Sequence, residues 1–206
     1  MFRLMLWLML AALSASLPGI VFALDPRKAI SQYVHELWST DNGLPQNTVE
    51  SIIQTRDGYL WFATQEGLVR FDGLRFTFYD RRNTPGLLNH NISQLLEDQE
   101  GAIWFRTTGL GGVTRFKNGT FKTFTPSDGL GSLIVNGIVD DKRGTTWVAT
   151  FHGLSRYRNG AFRTFTKSDG LASDTLFRVF CDSKGSLWAS TPQGVTQFIP
   201  DSGGGS

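Results

Sequence analysis

Three histidines, His35, His90 and His152, and one cysteine, Cys181, are the side chains here best suited to bind a metal or attack a carbonyl. No two of the histidines stand at the roughly three- to five-residue spacing of a metal-binding pair, so no metal site is expected. Cys181 closes the apolar run Val179-Phe180-Cys181 and reads as a small buried residue rather than a reactive thiol. As a single cysteine it also lacks an intramolecular disulfide partner. Asp98, Asp141 and Asp182 each precede a glycine by three residues (Gly101, Gly144, Gly185), which could suggest calcium. No segment, however, supplies the closely alternating acidic ligands of a calcium loop, whereas Asp first and Gly last suits a type I turn. The sequence has no Gly-x-Ser-x-Gly elbow and no Ser-x-x-Lys pair, and Gly109-Leu110-Gly111-Gly112 lacks the lysine and helix of a phosphate-cradling loop. The residues therefore point to no catalytic site and no cofactor.

The same residues make better sense as parts of a repeat. Trp61, Trp104, Trp147 and Trp188 are spaced by 43, 43 and 41 residues, and Gly58, Gly101, Gly144 and Gly185 each stand three residues before one of them. Gly43-Leu44, Gly86-Leu87, Gly129-Leu130 and Gly170-Leu171 keep the same spacing upstream. Downstream, Gly67 to Phe71, Gly112 to Phe116, Gly153 to Tyr157 and Gly194 to Phe198 form a fourth matching register, with two extra residues in the second copy around Gly109 to Gly111. Each unit reads as four short strands, with Asn118-Gly119 and Asn159-Gly160 suited to two-residue hairpins. Four strands in about 43 residues is the pattern of a β-propeller blade. The expected fold is all-β: four four-stranded blades over about 44–82, 83–124, 125–165 and 166–199, forming either an arc of a larger propeller or a small closed ring. Counting back from each Gly-Leu aligns Trp38 with Phe124 and Phe165, while the last repeat stops after its third strand. Residues 33–38 are accordingly expected to pair beside Val195 to Phe198 and complete the last blade.

Ahead of the repeats, Arg3 precedes residues 4–24, which carry no charge, and Pro18-Gly19 and Val21-Phe22-Ala23 follow the apolar core. This is the layout of a secretory signal peptide over 1–23, with an uncleaved membrane anchor as the rival reading. Residues 201–206 read as a Gly/Ser tail. The repeats are thus expected outside the cytoplasm, in the periplasm. The formal net charge is +2, and Arg70, Arg115, Arg156 and Arg163 recur with the repeat rather than forming a basic stripe, so nucleic acid is not expected as a partner.

The stretch from Trp38 to Val49, with Asp41, Gly43, Leu44 and Pro45, and the stretch from Asp57 to Gly73, with Trp61 and Gly67-Leu68-Val69-Arg70-Phe71, resemble the bacterial two-component regulator propeller family. The resemblance covers about residues 33–199. It implies an extracytoplasmic sensor domain of the kind carried by hybrid histidine kinases and ligand-sensing diguanylate cyclases, which itself performs no catalysis. Family members usually have one or two seven-bladed propellers, a β-sandwich, a membrane span and an output domain. Four repeats would then be the N-terminal portion of such a sensor, with membrane contact only through an uncleaved leader or a downstream span. The implied ligand is a small molecule or glycan, and a second propeller or a homodimer is a further candidate partner. Two alternatives stand beside this reading: an extracytoplasmic propeller lyase or hydrolase, and a structural fragment completed by a partner.

The repeated tryptophans are expected to pack between blades, with Gly58, Gly101, Gly144 and Gly185 shaping the turns before them. A recognition surface is expected where the copies differ. Those places are Gln65 and Glu66, Thr108 and Leu110 in the second-repeat insertion, and Phe151 and His152, all in the connection between strands two and three.

Overall fold

The computed structural model describes residues 25 and 27–199; the expected signal peptide and Gly/Ser tail lie outside the described residues. Two compact units divide at Leu37 and Trp38. The described part of the first holds a 3-10 turn at Ile30–Gln32, and the Tyr33 hydroxyl donates to the Asp25 carbonyl at 2.6 Å.

The second unit is four antiparallel meanders. The first sheet comprises β1 (Val49–Gln54), β2 (Leu60–Thr64), β3 (Gly67–Phe71) and β4 (Phe76–Tyr79). The second comprises β5 (Ile92–Glu97), β6 (Ile103–Thr107), β7 (Val113–Lys117) and β8 (Thr120–Phe124). The third comprises β9 (Val135–Asp140), β10 (Thr146–Thr150), β11 (Gly153–Arg158) and β12 (Ala161–Phe165). The fourth has three strands, β13 (Arg178–Cys181), β14 (Leu187–Thr191) and β15 (Gly194–Phe198). First strands pack on one another in the succession β1, β5, β9, β13, without an equivalent return from β13 to β1 among the described residues. This is an arc of propeller blades.

The core lies between sheets rather than inside any one of them. Trp61 and Leu68 meet Ile92, Phe105 and Phe121 across the first interface. Trp104 and Phe124 meet Leu130, Val135, Ile138 and Val148 across the second. One side chain ties each sheet's first turn to this packing. Asp98 Oδ1 accepts from the Glu100 and Ala102 amides, both at 2.9 Å, while its Oδ2 accepts the Trp104 indole N–H at 2.7 Å. Asp141 and Asp182 repeat the arrangement, holding Trp147 at 3.4 Å and Trp188 at 2.9 Å. In the first blade the equivalent residue is Thr55, whose hydroxyl takes the Trp61 indole at 3.2 Å. The aspartates thus act as turn-formers that also satisfy a buried donor. Gly101 ends its turn at φ +76°, the left-handed conformation for which glycine carries no penalty.

Residues 33–38 do not form the strand expected of them. Val34 is 96% exposed, and β15 has no fourth strand beside it among the described residues. Aligning Trp38 with the fourth-strand aromatics nonetheless describes its ring correctly. Trp38 lies 5.4 Å from Phe71, as Phe124 lies 5.4 Å from Tyr157 and Tyr79 lies 5.7 Å from Phe116. The ring is seated as if it belonged to a blade preceding the first, but its backbone has no strand edge to join. The last interface is correspondingly incomplete. Phe121 and Phe162 come from fourth strands to cover the first two interfaces. At the third, a cleft of about 330 Å³ remains, lined by Trp147, Phe165, Leu187 and Phe198.

Two outcomes follow from this packing. Trp104→Ala should cost about 3–5 kcal/mol in denaturant unfolding, because Trp104 is wholly buried, and Trp188→Ala, half-buried, should cost less. The Trp188 hydrogen bond holds the Asp182 carboxyl below the usual carboxylate range. Its stabilisation is therefore complete above the unfolded aspartate pKa of about 3.9 and is lost as pH falls through the lower folded value. Acid titration followed by tryptophan fluorescence should show this loss in the wild type, and Asp182→Asn should remove Asp182's share of it.

Candidate functional site

The connections between second and third strands share one end of the sheets with the connections that lead from one sheet to the next. The inter-sheet connections begin with a short capped turn: the Thr125 amide donates to Asp128 Oδ2 at 3.0 Å, and the Thr166 amide to Asp169 Oδ2 at 2.9 Å. Each then sinks a leucine into the core, Leu87, Leu130 or Leu171. The returning chain is stitched to the hairpins. Thr108 N donates to Asn91 O at 2.9 Å, Phe151 N to Ile134 O at 3.1 Å, and Leu176 N to Thr150 O at 3.0 Å.

Three of the four hairpins are closed by a threonine. Thr64, Thr150 and Thr191 donate from Oγ1 to the carbonyls of Gly67, Gly153 and Gly194 at 2.8, 2.8 and 3.1 Å. The same oxygens accept the amides of Glu66, His152 and Gln193. The second hairpin breaks the rule. Its insertion moves the glycine away, and the buried Thr107 hydroxyl is left without a partner among the described residues. Gly111 folds over it so closely that a Cβ there would stand 1.7 Å from Thr107 Oγ1.

The sequence-predicted residues are only partly brought together. Leu110 bridges to Ile134, whose carbonyl also takes the Phe151 amide, so these two exposed apolar side chains flank one residue. The Thr108 carbonyl accepts from Asn89 Nδ2 at 3.0 Å. His152 is exposed at the tip beside Phe151. Gln65 turns toward the first strand and donates to Glu50 Oε1 at 3.4 Å. Glu66 lies instead in a cleft of about 470 Å³ with Asp80, Arg82 and His90.

Sequence reasoning missed the inner edge of the same end. β1, β5 and β9 each carry a β-bulge, at Glu50, Ser93 and Asn136, where one extra residue interrupts the ladder and redirects its side chain. The corresponding residue before β13 is Phe177, an exposed aromatic. Beside the bulges stand Arg106 and Arg178. Arg106 occupies a register held by Ala63, Ala149 and Ser190 in the other sheets, a departure readable from the alignment of the copies. Its guanidinium donates to Val135 O at 3.3 Å, and Arg178 donates to Asn136 O at 2.7 Å. Burial, reinforced by the Arg178 charge, lowers the Arg106 pKa. Among the described residues no three His, Cys, Asp or Glu side chains gather as a metal site. Burial also raises the Cys181 thiol pKa, which disfavours the nucleophilic thiolate.

Successive four-stranded meanders joined at their first strands, with aromatic packing between them, define a repeat protein built of β-propeller blades. The model of the two component regulator propeller matches residues 43–66 and 86–109, so over these two stretches the chain is similar to that family. The extracellular domain of the hybrid two-component system BT3049 from B. thetaiotaomicron is 25% identical, with a TM-score of 0.64 over 80% of this chain and 26% of that one. That of the one-component system BT4673 from the same organism is 21% identical, with a TM-score of 0.62 over 80% and 25%. The chain therefore spans about a quarter of either solved domain. Virginiamycin B lyase from Staphylococcus aureus, 16% identical, shares the fold at a TM-score of 0.52 over 76% of this chain and 57% of that one. No curated protein matches the sequence significantly. The chain thus shares the propeller fold of these extracellular domains.

Proposed function

We propose that this module is a non-catalytic, extracytoplasmic recognition element of a two-component-type signalling protein. Its ligand, a small molecule or glycan, would contact the sheet end formed by the second-to-third-strand hairpins and the inner bulges. One observation carries the reading: the copies keep the same tryptophan, leucine and hairpin-glycine registers where they pack against one another and diverge at that end. There the threonine closure is broken once, and Leu110, Phe151 and Phe177 are exposed. Exposed apolar side chains beside polar groups are what a sugar or other amphipathic ligand requires. The likeness to an extracellular two-component domain supports the role and the location. Among the described residues no helix is long and apolar enough to cross a membrane.

The test is a thermal-shift screen of the chain against neutral and acidic oligosaccharides, repeated with Thr108, Leu110, Phe151 and His152 changed to alanine. A ligand-dependent rise in melting temperature in the wild type, lost in the variant, is expected. The variant's own stability should stay within about 0.5 kcal/mol per exposed position. A ligand that stabilises both proteins equally would overturn this placement of the site.

A second reading, completion by a partner, is favoured by the edge of β15, unpaired among the described residues, and by the apolar cleft beside it. Exposed strand edges recruit further strands. Light scattering should then give a dimer or larger species, and Val195→Lys on the exposed edge should shift it toward monomer. A monomer at every concentration would dispose of it.

A further inference from the structure

Arg106 and Arg178 hold consecutive carbonyls of one strand, Val135 and Asn136, at the point where β9 bulges. Two guanidiniums are thus held side by side, although like charges repel and Arg106 is partly buried. Among the described residues neither forms an ion pair with a carboxylate. Glu50 lies near enough to act on the Arg106 charge, but its carboxylate accepts from Gln65. Among the described residues each arginine bonds carbonyls through Nη1, and Nη2 of neither makes a hydrogen bond. Neighbouring polar groups are under-satisfied too: among the described residues, Ser93 Oγ and Arg106 Nε are buried without partners. These two are adjacent by register, because Gln94 faces Arg106 and Ser93 is the bulged residue beside Gln94.

Packing does not explain this arrangement. The other three sheets manage with Ala63, Ala149 and Ser190 at the Arg106 register, and with Ser51, Gln94 and Gly137 at the Arg178 register. A partly desolvated cation beside a like charge, as Arg106 is beside Arg178, lowers stability unless something of opposite charge completes it. Guanidinium groups match a planar carboxylate through paired N–H donors. We propose that the inner edge at the β9 bulge is a carboxylate-binding site in which Arg106 and Arg178 grip an anionic ligand. The carboxylate would come from an acidic sugar or from a free organic acid. This rests on the recognition role proposed above and adds the chemical class of what is recognised.

The experiment is isothermal titration of the whole chain with D-galacturonate, D-galactose and succinate at matched ionic strength. The wild type should bind one or both carboxylates saturably and leave galactose unbound. Preference for galacturonate identifies an acidic sugar, and equal or better binding of succinate an organic acid. Arg106→Ala, which installs the residue of the first and third sheets, should keep the fold and its melting temperature, yet bind the carboxylate roughly ten- to a hundredfold more weakly. Arg178→Gln should weaken it similarly, whereas Arg163→Gln, an exposed arginine on β12, should not. The proposal is overturned if carboxylates bind no better than galactose, or if Arg106→Ala binds them as the wild type does. Galactose binding that is lost on changing Leu110 and Phe151 but is indifferent to Arg106 would leave the recognition role standing and remove the carboxylate.

Discussion

An aspartate that closes a turn and at the same time takes a tryptophan N–H is the constraint on which the rest of this array rests. Asp98 does both: one oxygen gathers two turn amides and the other receives the Trp104 indole. A buried indole without an acceptor would forfeit a hydrogen bond in a low-dielectric interior. An isolated turn would not orient the ring. Joined, they convert a local reversal into a fixed contact with the next sheet, where Trp104 meets Tyr157 at 4.8 Å. Thr55 in the first sheet shows that the job requires an acceptor rather than a charge.

That coupling is also why so much of the fold was legible. Turn glycine, tryptophan, hairpin glycine and inter-sheet leucine are all needed once per unit, so they recur at fixed offsets and expose the period. The Trp38 alignment succeeded on the same grounds, because a ring seat is a register property. The strand assigned to residues 33–38 did not form, since pairing depends on a neighbouring edge that no local pattern encodes. The candidate surface was half legible. Leu110 and Phe151 stood out as insertion and hairpin tip, and the structure sets them about one residue, Ile134. Glu66 was grouped with them by loop equivalence but is drawn into a separate cleft with Arg82 and His90. The bulges at Glu50, Ser93 and Asn136 could not be read, because an extra residue present in every copy leaves the spacing unchanged. Arg106 was visible in principle as a large cation among small residues, yet within a strand it passes for an ordinary ladder member.

The first strands of neighbouring sheets are connected by side chains instead of a continuous backbone ladder. Ser51 accepts the Leu95 amide at 3.3 Å, Gln94 spans both the amide and the carbonyl of Ile138, and Asn136 donates to Leu176 O at 2.7 Å. Amide side chains mimic a peptide group while keeping rotatable bonds that a peptide lacks. Each sheet is then a stiff plate, and the seam between plates is a row of short flexible links backed by aromatic packing. Mechanically this is a fan. Splay between its leaves is the soft coordinate, and a molecule held at the inner seam would load that coordinate directly, with almost no leverage lost inside the leaves.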